Sequence, residues 1–312
     1  TIGGTAAADR NVISGNDGNG VSLIDGSDGN SVQGNYIGLN AAGTAAIANT
    51  MSGVGINNAD SITIGGAAAG AGNVIAGNTQ QGIWMDNTSG TAVQGNRIGT
   101  NAGGNSAVGN GVAGIVLDTG ATGVQIGGAS AGAGNLVSGN AQAGILLNGA
   151  DGNTIQGNRV GTDAAGTAAV ANGTAGISLA AGSSGNIIGG TGGGEANTIA
   201  FNGSDGIVLT DAASLGNRIS GNAIFSNTGL GIDLADDGVT ANDGGAGDDT
   251  DTGPNGLQNF PVLAEASVVN GSTTMRGSLD SAPATAYTVE FFSSATPDVS
   301  GNGEIGRASC RE

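Results

Sequence analysis

The chain has no histidine, no lysine and a single cysteine. Without histidine, a serine or cysteine nucleophile has no imidazole base to activate it. Zinc sites built on His or Cys are excluded for the same reason, as is a Schiff-base or phosphate-gripping lysine. Cys310 has no partner within the chain for a disulfide. Aromatic residues make up only 3% of the sequence, whereas glycine supplies 65 of 312 residues, so small residues must stack where large rings would otherwise fill a core. Positive charge is scarce as well. The formal net charge is −18, and so acidic a surface repels nucleic acid and anionic lipid. No apolar run reaches the roughly 18 residues of a membrane span. Mean hydropathy is nonetheless +0.05, with apolar residues spread evenly, which is not a disordered composition.

What is present is repetition. Ile-Gly-Gly recurs at Ile2, Ile64, Ile126 and Ile188, 62 residues apart each time. An Asn-x-(Ile/Val/Leu)-x-x-Asn string keeps the same spacing at Asn11–Asn16, Asn73–Asn78, Asn135–Asn140 and Asn197–Asn202. A Gly-(Val/Ile)-x-(Leu/Ile/Met) string starts at Gly20, Gly53, Gly82, Gly114, Gly144, Gly176, Gly206 and Gly231, halving that period. Each half-period holds three short runs of apolar alternation, which signal strands. Such strands cannot bury their apolar faces alone, but stacked coils can. The expected fold is all-β: a solenoid of about eight coils with three short strands per coil. Two coil types alternate. One carries a long excursion after its third strand (Leu39–Met51, Thr100–Val112, Thr162–Thr174), and the other an Ala/Gly excursion between its second and third strands (Ala67–Gly72, Ala129–Gly134, Thr191–Ala196). Asn35, Asn96, Asn158 and Asn222 are expected to stack in one corner column, where an amide can bond to the next amide.

The strings G-I-x-L, N-T-I-Q-G-N-R-V-G-T-D-A-A-G-T and I-G-G-x-x-A-G-A-G-N resemble the right-handed parallel β-helix repeat proteins of bacterial surfaces, which share the pectin-lyase-like fold. The resemblance covers about residues 1–236. It is specific for fold and not for activity, because this fold hosts lyases, hydrolases, adhesins and tailspikes. Residues 237–256 read as an acidic Gly/Asp-rich linker or cap. Residues 257–304 resemble a truncated β-sandwich-like module, with strands expected at Val268–Val269, Thr273–Met275 and Tyr287–Phe292. Ile305–Glu312 reads I-G-R-A-S-C-R-E, which resembles a translated sequencing adapter. It is excluded from fold reasoning and marks the chain as a metagenomic fragment, with both termini expected to be cut.

Three places in the chain could carry chemistry. Asp86 and Asp118 follow the G-I-x-L strand in neighbouring coils, and stacking sets them about 5 Å apart, the separation of a glycosidase carboxylate pair. The plain alternative is a solvated turn column. Pectin-degrading hydrolases of the resembled fold carry N-T-D, D-D, G-H-G and R-I-K motifs. Asp236-Asp237 offers a D-D here, but the histidine and lysine are absent. Arg97 and Arg159 share a column with no acidic cluster beside them in sequence. The second place is Asp233, Asp236, Asp237, Asp243, Asp248, Asp249 and Asp251, all within 19 residues. Oxygen ligands at that density suit Ca²⁺, the one cofactor expected; a flexible acidic linker is the alternative. Third, the outward x positions of G-I-x-L run Ser22, Gly55, Trp84, Val116, Leu146, Ser178, Val208, Asp233. Trp84, Val116 and Leu146 would form an apolar patch able to stack on sugar rings, unless Thr100–Val112 and Thr162–Thr174 fold over it.

The expected function is an extracellular or cell-surface structural module of adhesin type, with polysaccharides or host and cell-surface glycans as partners and no catalysis in this fragment. The alternative is a polysaccharide-active enzyme, either a glycoside hydrolase or a lyase.

Overall fold

The structure, a computed structural model, describes residues 1–243, 249, 251–291 and the backbone of 308–310. Residues 2–234 wind into eight coils of a right-handed parallel β-helix, as the repeat requires. The G-(V/I)-x-(L/I/M) strands, from Val21–Ile24 to Ile232–Leu234, form an eight-stranded parallel sheet. The second and third strands of each coil stack into two further columns. These are joined at the end by one long strand, Arg218–Phe225, that runs through both.

Register is kept from coil to coil, and side-chain alternation does the rest. One inward row on the first sheet is Val21, Val54, Ile83, Ile115, Ile145, Ile177 and Ile207. A second is Leu23, Ile56, Met85, Leu117, Leu147, Leu179 and Leu209, and both rows are buried. Val32, Ile64, Val93, Ile126, Ile155, Ile188 and Ile219 continue the core on the second sheet. The glycine that opens each first strand is set by space. A Cβ at Gly114 would lie 2.6 Å from both the Gly144 carbonyl and a Val137 methyl, so any side chain there overpacks the corner.

The corners are held by asparagine. Asn11, Asn35, Asn73, Asn96, Asn135, Asn158, Asn197 and Asn222 form one ladder, amide to amide at 2.9–3.1 Å. The expected column of four is therefore half of a continuous row of eight, with the first Asn of the N-x-(I/V/L)-x-x-N string interleaved. A second ladder joins Asn16, Asn49, Asn78, Asn110, Asn140, Asn172, Asn202 and Asn227 at 2.7–3.0 Å. Asn96 shows how completely each amide is used. Its Oδ1 accepts from the Asn73 backbone N–H and Nδ2, while its own Nδ2 donates to Ile64 O and Asn135 Oδ1.

The long excursions close as small hairpins through bridges Leu39–Ala46, Thr100–Ala107 and Thr162–Ala169. Asn40, Asn101 and Asp163 tie each hairpin by accepting backbone N–H groups. Those donors hold the Asp163 carboxyl below the usual carboxylate range. Successive hairpins stack, with Ala102 N donating to Gly43 O and Ala164 N to Gly104 O, each at 2.8 Å. They cover the outer face of the third sheet, where Leu39, Val74 and Ala76 pack with Tyr36, Ala102 and Val108.

In the C-terminal region a small antiparallel sheet follows the helix: among the described residues it is one exposed hairpin, Val262–Val269 with Ser272–Ser278, which contains the strands expected at Val268–Val269 and Thr273–Met275. It turns at Asn270-Gly271, both at positive φ, a two-residue loop typical of hairpins. Tyr287–Phe291 is not a strand, and Phe292 lies outside the described residues. The polar groups of this segment bond elsewhere: Glu290 Oε2 accepts from Gly221 N, and the Tyr287 and Ser281 hydroxyls bond to each other. Within the acidic linker, Pro254–Leu257 seats on the last coil. There Asn255, buried, accepts from Asn217 N and donates to Asn217 O. The backbone of Ala308–Cys310, in the adapter-like tail, runs antiparallel beside Arg218–Phe225.

Replacing Asn135 by alanine leaves the buried Asn96 N–H without an acceptor, takes one acceptor from Asn96 Nδ2 and removes the side-chain donor to Val93 O, at about 1–3 kcal/mol for each group left unsatisfied. Denaturant unfolding is expected to show a loss on the order of 3–5 kcal/mol. Asn105→Ala, on an exposed hairpin, is expected to change stability by less than about 0.5 kcal/mol.

Candidate functional site

The outward row of the first sheet falls in the register expected of it. Ser22, Gly55, Trp84, Val116, Leu146, Ser178, Val208 and Asp233 are successive partners across the coils. Trp84 and Leu146 are half-buried, and Val116, between them, is 4% exposed. The long hairpins do not cover this row, because they lie on the third sheet. Trp84, Val116 and Leu146 therefore make an apolar platform three coils high.

Carboxylates border it. Trp84 donates its indole N–H to Asp118 Oδ2 at 2.6 Å, and Asn148 Nδ2 donates to Asp118 Oδ1 at 2.7 Å. Asn57 Nδ2 donates to Asp86 Oδ2 at 2.6 Å. Asp86 and Asp118 do lie in neighbouring coils, since the preceding Met85 and Leu117 are in register. Both oxygens of Asp118 are occupied as acceptors, an arrangement that fixes a carboxylate rather than one that hands a proton to a leaving group. A shallow depression of about 310 Å³ opens at the next corner, lined by Asn58, Asp60, Asn87, Ser89 and Thr122 among others. Arg97 and Arg159 are remote from this platform. They sit on the third sheet with Leu136 between them and lie against the hairpin glycines Gly104 and Gly166.

At the far end of the same face, three carboxylates converge. One oxygen from each of Asp205, Asp233 and Asp236 lies within 4.8 Å of the others. Asp205 and Asp233 are 8% and 4% exposed, and Asp236 is exposed. Asp205 Oδ1 accepts from Leu230 N at 2.6 Å, and Asp233 Oδ2 accepts from Gly238 N at 3.0 Å. Asp233 Oδ1 is buried and has no hydrogen-bond partner. Burial, with the charges of Asp205 and Asp236 in support, pushes the Asp233 carboxyl above the usual carboxylate range. For the two buried groups at this separation, mutual repulsion amounts to roughly 3–4 kcal/mol at an effective dielectric near 20.

The other acids expected at a metal site are dispersed. Asp243 Oδ1 accepts from Asn259 Nδ2 at 2.7 Å. Asp249 Oδ2 takes bonds from Gln258, Asn259 and Ser281. Asp251 borders a hollow beside Tyr287, Asp237 is exposed next to Asp236, and Asp248 lies outside the described residues.

Residues 46–242, more than half of the chain, match the family described as periplasmic copper-binding protein (NosD). The chain belongs to the NosD family. No curated protein matches it significantly. Among solved structures it is similar to the Azotobacter vinelandii mannuronan C-5 epimerase AlgE4 A-module, at 17% identity and a TM-score of 0.46 over 65% of this chain and 48% of that one. It is also similar to the periplasmic alginate epimerase AlgG, at 18% identity and a TM-score of 0.41 over 67% of this chain and 40% of that one. This NosD-family chain thus spans less than half the length of either. No helix among its described residues is long and apolar enough to cross a membrane.

Asp205 was missed by sequence reasoning because it stands 28 residues before Asp233. The signal was available in the repeat. Val208 and Asp233 share a row position, which places Asp205 one coil from Asp233 across a short turn.

The chain has one tryptophan, which makes its bond to Asp118 directly observable. Asp118→Ala is expected to shift Trp84 emission to longer wavelength and increase its quenching by acrylamide, while Asp86→Ala leaves both unchanged.

Proposed function

We propose that this NosD-family chain is a non-catalytic repeat module working outside the cytoplasm, in the periplasm or on the cell surface, whose first sheet binds glycans. The observation that carries this reading is the half-buried pair Trp84 and Leu146 flanking the buried Val116, left clear by the long hairpins and bordered by Asp86, Asp118 and the polar depression beyond. An apolar face with carboxylate and amide acceptors at its edge is how a protein grips a sugar: the ring stacks and the hydroxyls donate. The net charge of −18 favours neutral glycans over acidic ones. The extracytoplasmic placement rests on the family's periplasmic description and on the surface proteins the repeat resembles.

Copper fits this chain poorly, although the family's description names it. Copper sites are built from imidazole, thiolate and thioether. There is no histidine here, and of the three methionines Met85 is fully buried in the core while Met51 and Met275 are exposed and far apart in sequence.

The second reading, a polysaccharide-active enzyme, rests on Asp86 and Asp118 facing solvent in adjacent coils. Against it stands the pair of donors that occupies both oxygens of Asp118.

Affinity electrophoresis of the full chain against immobilised neutral and acidic polysaccharides tests both readings. Retardation is expected on at least one neutral glycan, to be lost in Trp84→Ala and kept in Leu215→Ala, which removes an exposed apolar side chain elsewhere. Reducing ends and unsaturated products are expected to stay at background. Product formation that disappears in Asp118→Asn would establish the enzymatic reading, and retardation unchanged in Trp84→Ala would remove the glycan-binding one.

A further inference from the structure

We infer that Asp205, Asp233 and Asp236 form a calcium site that locks the last turn of the β-helix onto the coil beneath it. The inference stands apart from glycan binding, since even the nearest platform residue, Leu146, lies two coils from the coil that carries Asp205.

Three features point to a cation and not merely to acidic surface. The first is convergence across the fold: Asp205 comes from the seventh coil, Asp233 from the eighth and Asp236 from the turn after it, yet their carboxylate oxygens meet within 4.8 Å. The second is an orphan. Asp233 is 4% exposed, Gly238 N occupies its Oδ2, and its Oδ1 is buried without a partner. A carboxylate oxygen in that position loses its hydration and receives nothing in return unless a ligand arrives. The third is shape. A Cβ at Gly229 would lie 2.3 Å from Asp205 Oδ1, so glycine there lets the Asp205 carboxylate sit under the turn. The charged neighbours that act on Asp233 are the acids Asp205 and Asp236, so a bound cation would answer all three carboxylates.

The donors select the ion. All three are hard carboxylate oxygens on separate segments, with room for water on the exposed Asp236 side. Calcium accepts such irregular, partly hydrated oxygen sets, and extracellular modules hold it at about 0.1–1 mM. Bound there, it would link the seventh coil to the Ala235–Gly238 turn, whose Gly238 N–H already reaches Asp233.

The test is calorimetric titration of the chelator-treated full chain with calcium chloride, read alongside thermal unfolding. One saturable site per chain is expected, with a dissociation constant near 0.1–1 mM and a higher Tm in calcium. Asp236→Ala removes an exposed ligand without disturbing a buried bond, so the fold is retained, and it is expected to weaken binding at least tenfold and abolish the Tm shift. Asp237→Ala removes the same charge one residue away and is expected to leave both within twofold. Absence of a saturable site at 10 mM calcium (about ten times the weakest expected constant) would overturn the inference. So would equal losses in Asp236→Ala and Asp237→Ala, the mark of diffuse acidic attraction. Trp84→Ala leaves this titration untouched, so failure of the glycan reading and failure of the calcium site are distinguishable.

Discussion

Each coil must turn three times, and each turn points backbone N–H and carbonyl groups into a space that water does not reach. Stacked asparagine amides make that tolerable. In the two complete ladders an amide accepts a backbone N–H from one neighbouring coil and donates to a carbonyl from another, while also bonding to the next amide in the row. The ladders therefore satisfy the corners and measure the coil at once. A coil one residue too long at a corner would lose its amide partners above and below, so insertions are confined to places outside the ladders. The hairpins closed by the bridges Leu39–Ala46, Thr100–Ala107 and Thr162–Ala169 are such places: each leaves the coil after the third strand and returns before Asn49, Asn110 or Asn172 of the second ladder.

A fold made of equivalent coils has no natural pocket, and chemistry arises only where the repeat breaks its own pattern. The outward row of the first sheet shows this twice. Most of its members are small or aliphatic, but Trp84 enlarges one position and Asp233 charges another. Trp84 sits where neighbouring Val116 and Leu146 extend it into a platform, and its indole N–H finds Asp118 in the next coil. Asp233 sits where the solenoid ends and a turn folds back over it, so that a carboxylate on the outward row is buried. The same row thus yields an apolar surface in the middle and a buried carboxylate at the end.

Much of this was readable from the residues. Eight G-(V/I)-x-(L/I/M) strings set the number of coils, their spacing located the two kinds of excursion, and the outward row could be written down in its observed register. Asn35, Asn96, Asn158 and Asn222 were legible as a column, but the interleaving of Asn73, Asn135 and Asn197 was not, because those asparagines belong to a different string and join the row only when the third strand of one coil stacks on the next. The hairpin at Val262–Val269 and Ser272–Ser278 was underestimated despite the turn signal of Asn270-Gly271, and the strand expected over Tyr287–Phe292 gave way to bonds made by Tyr287 and Glu290.

By itself the sequence determined the parallel β-helix, its coil count and which residues point inward, because each of these follows from a period that any local window repeats. Where the long excursions lie was decided by tertiary structure: they settle on the third sheet and leave Trp84 uncovered. Tertiary structure also decided that Asp205 joins Asp233 and Asp236 while Asp243 and Asp249 do not. The physical reason is the same in both cases. Periodic contacts are encoded once per coil and reinforced by every copy, whereas contacts made by an irregular loop or a terminal turn depend on the particular surface it meets.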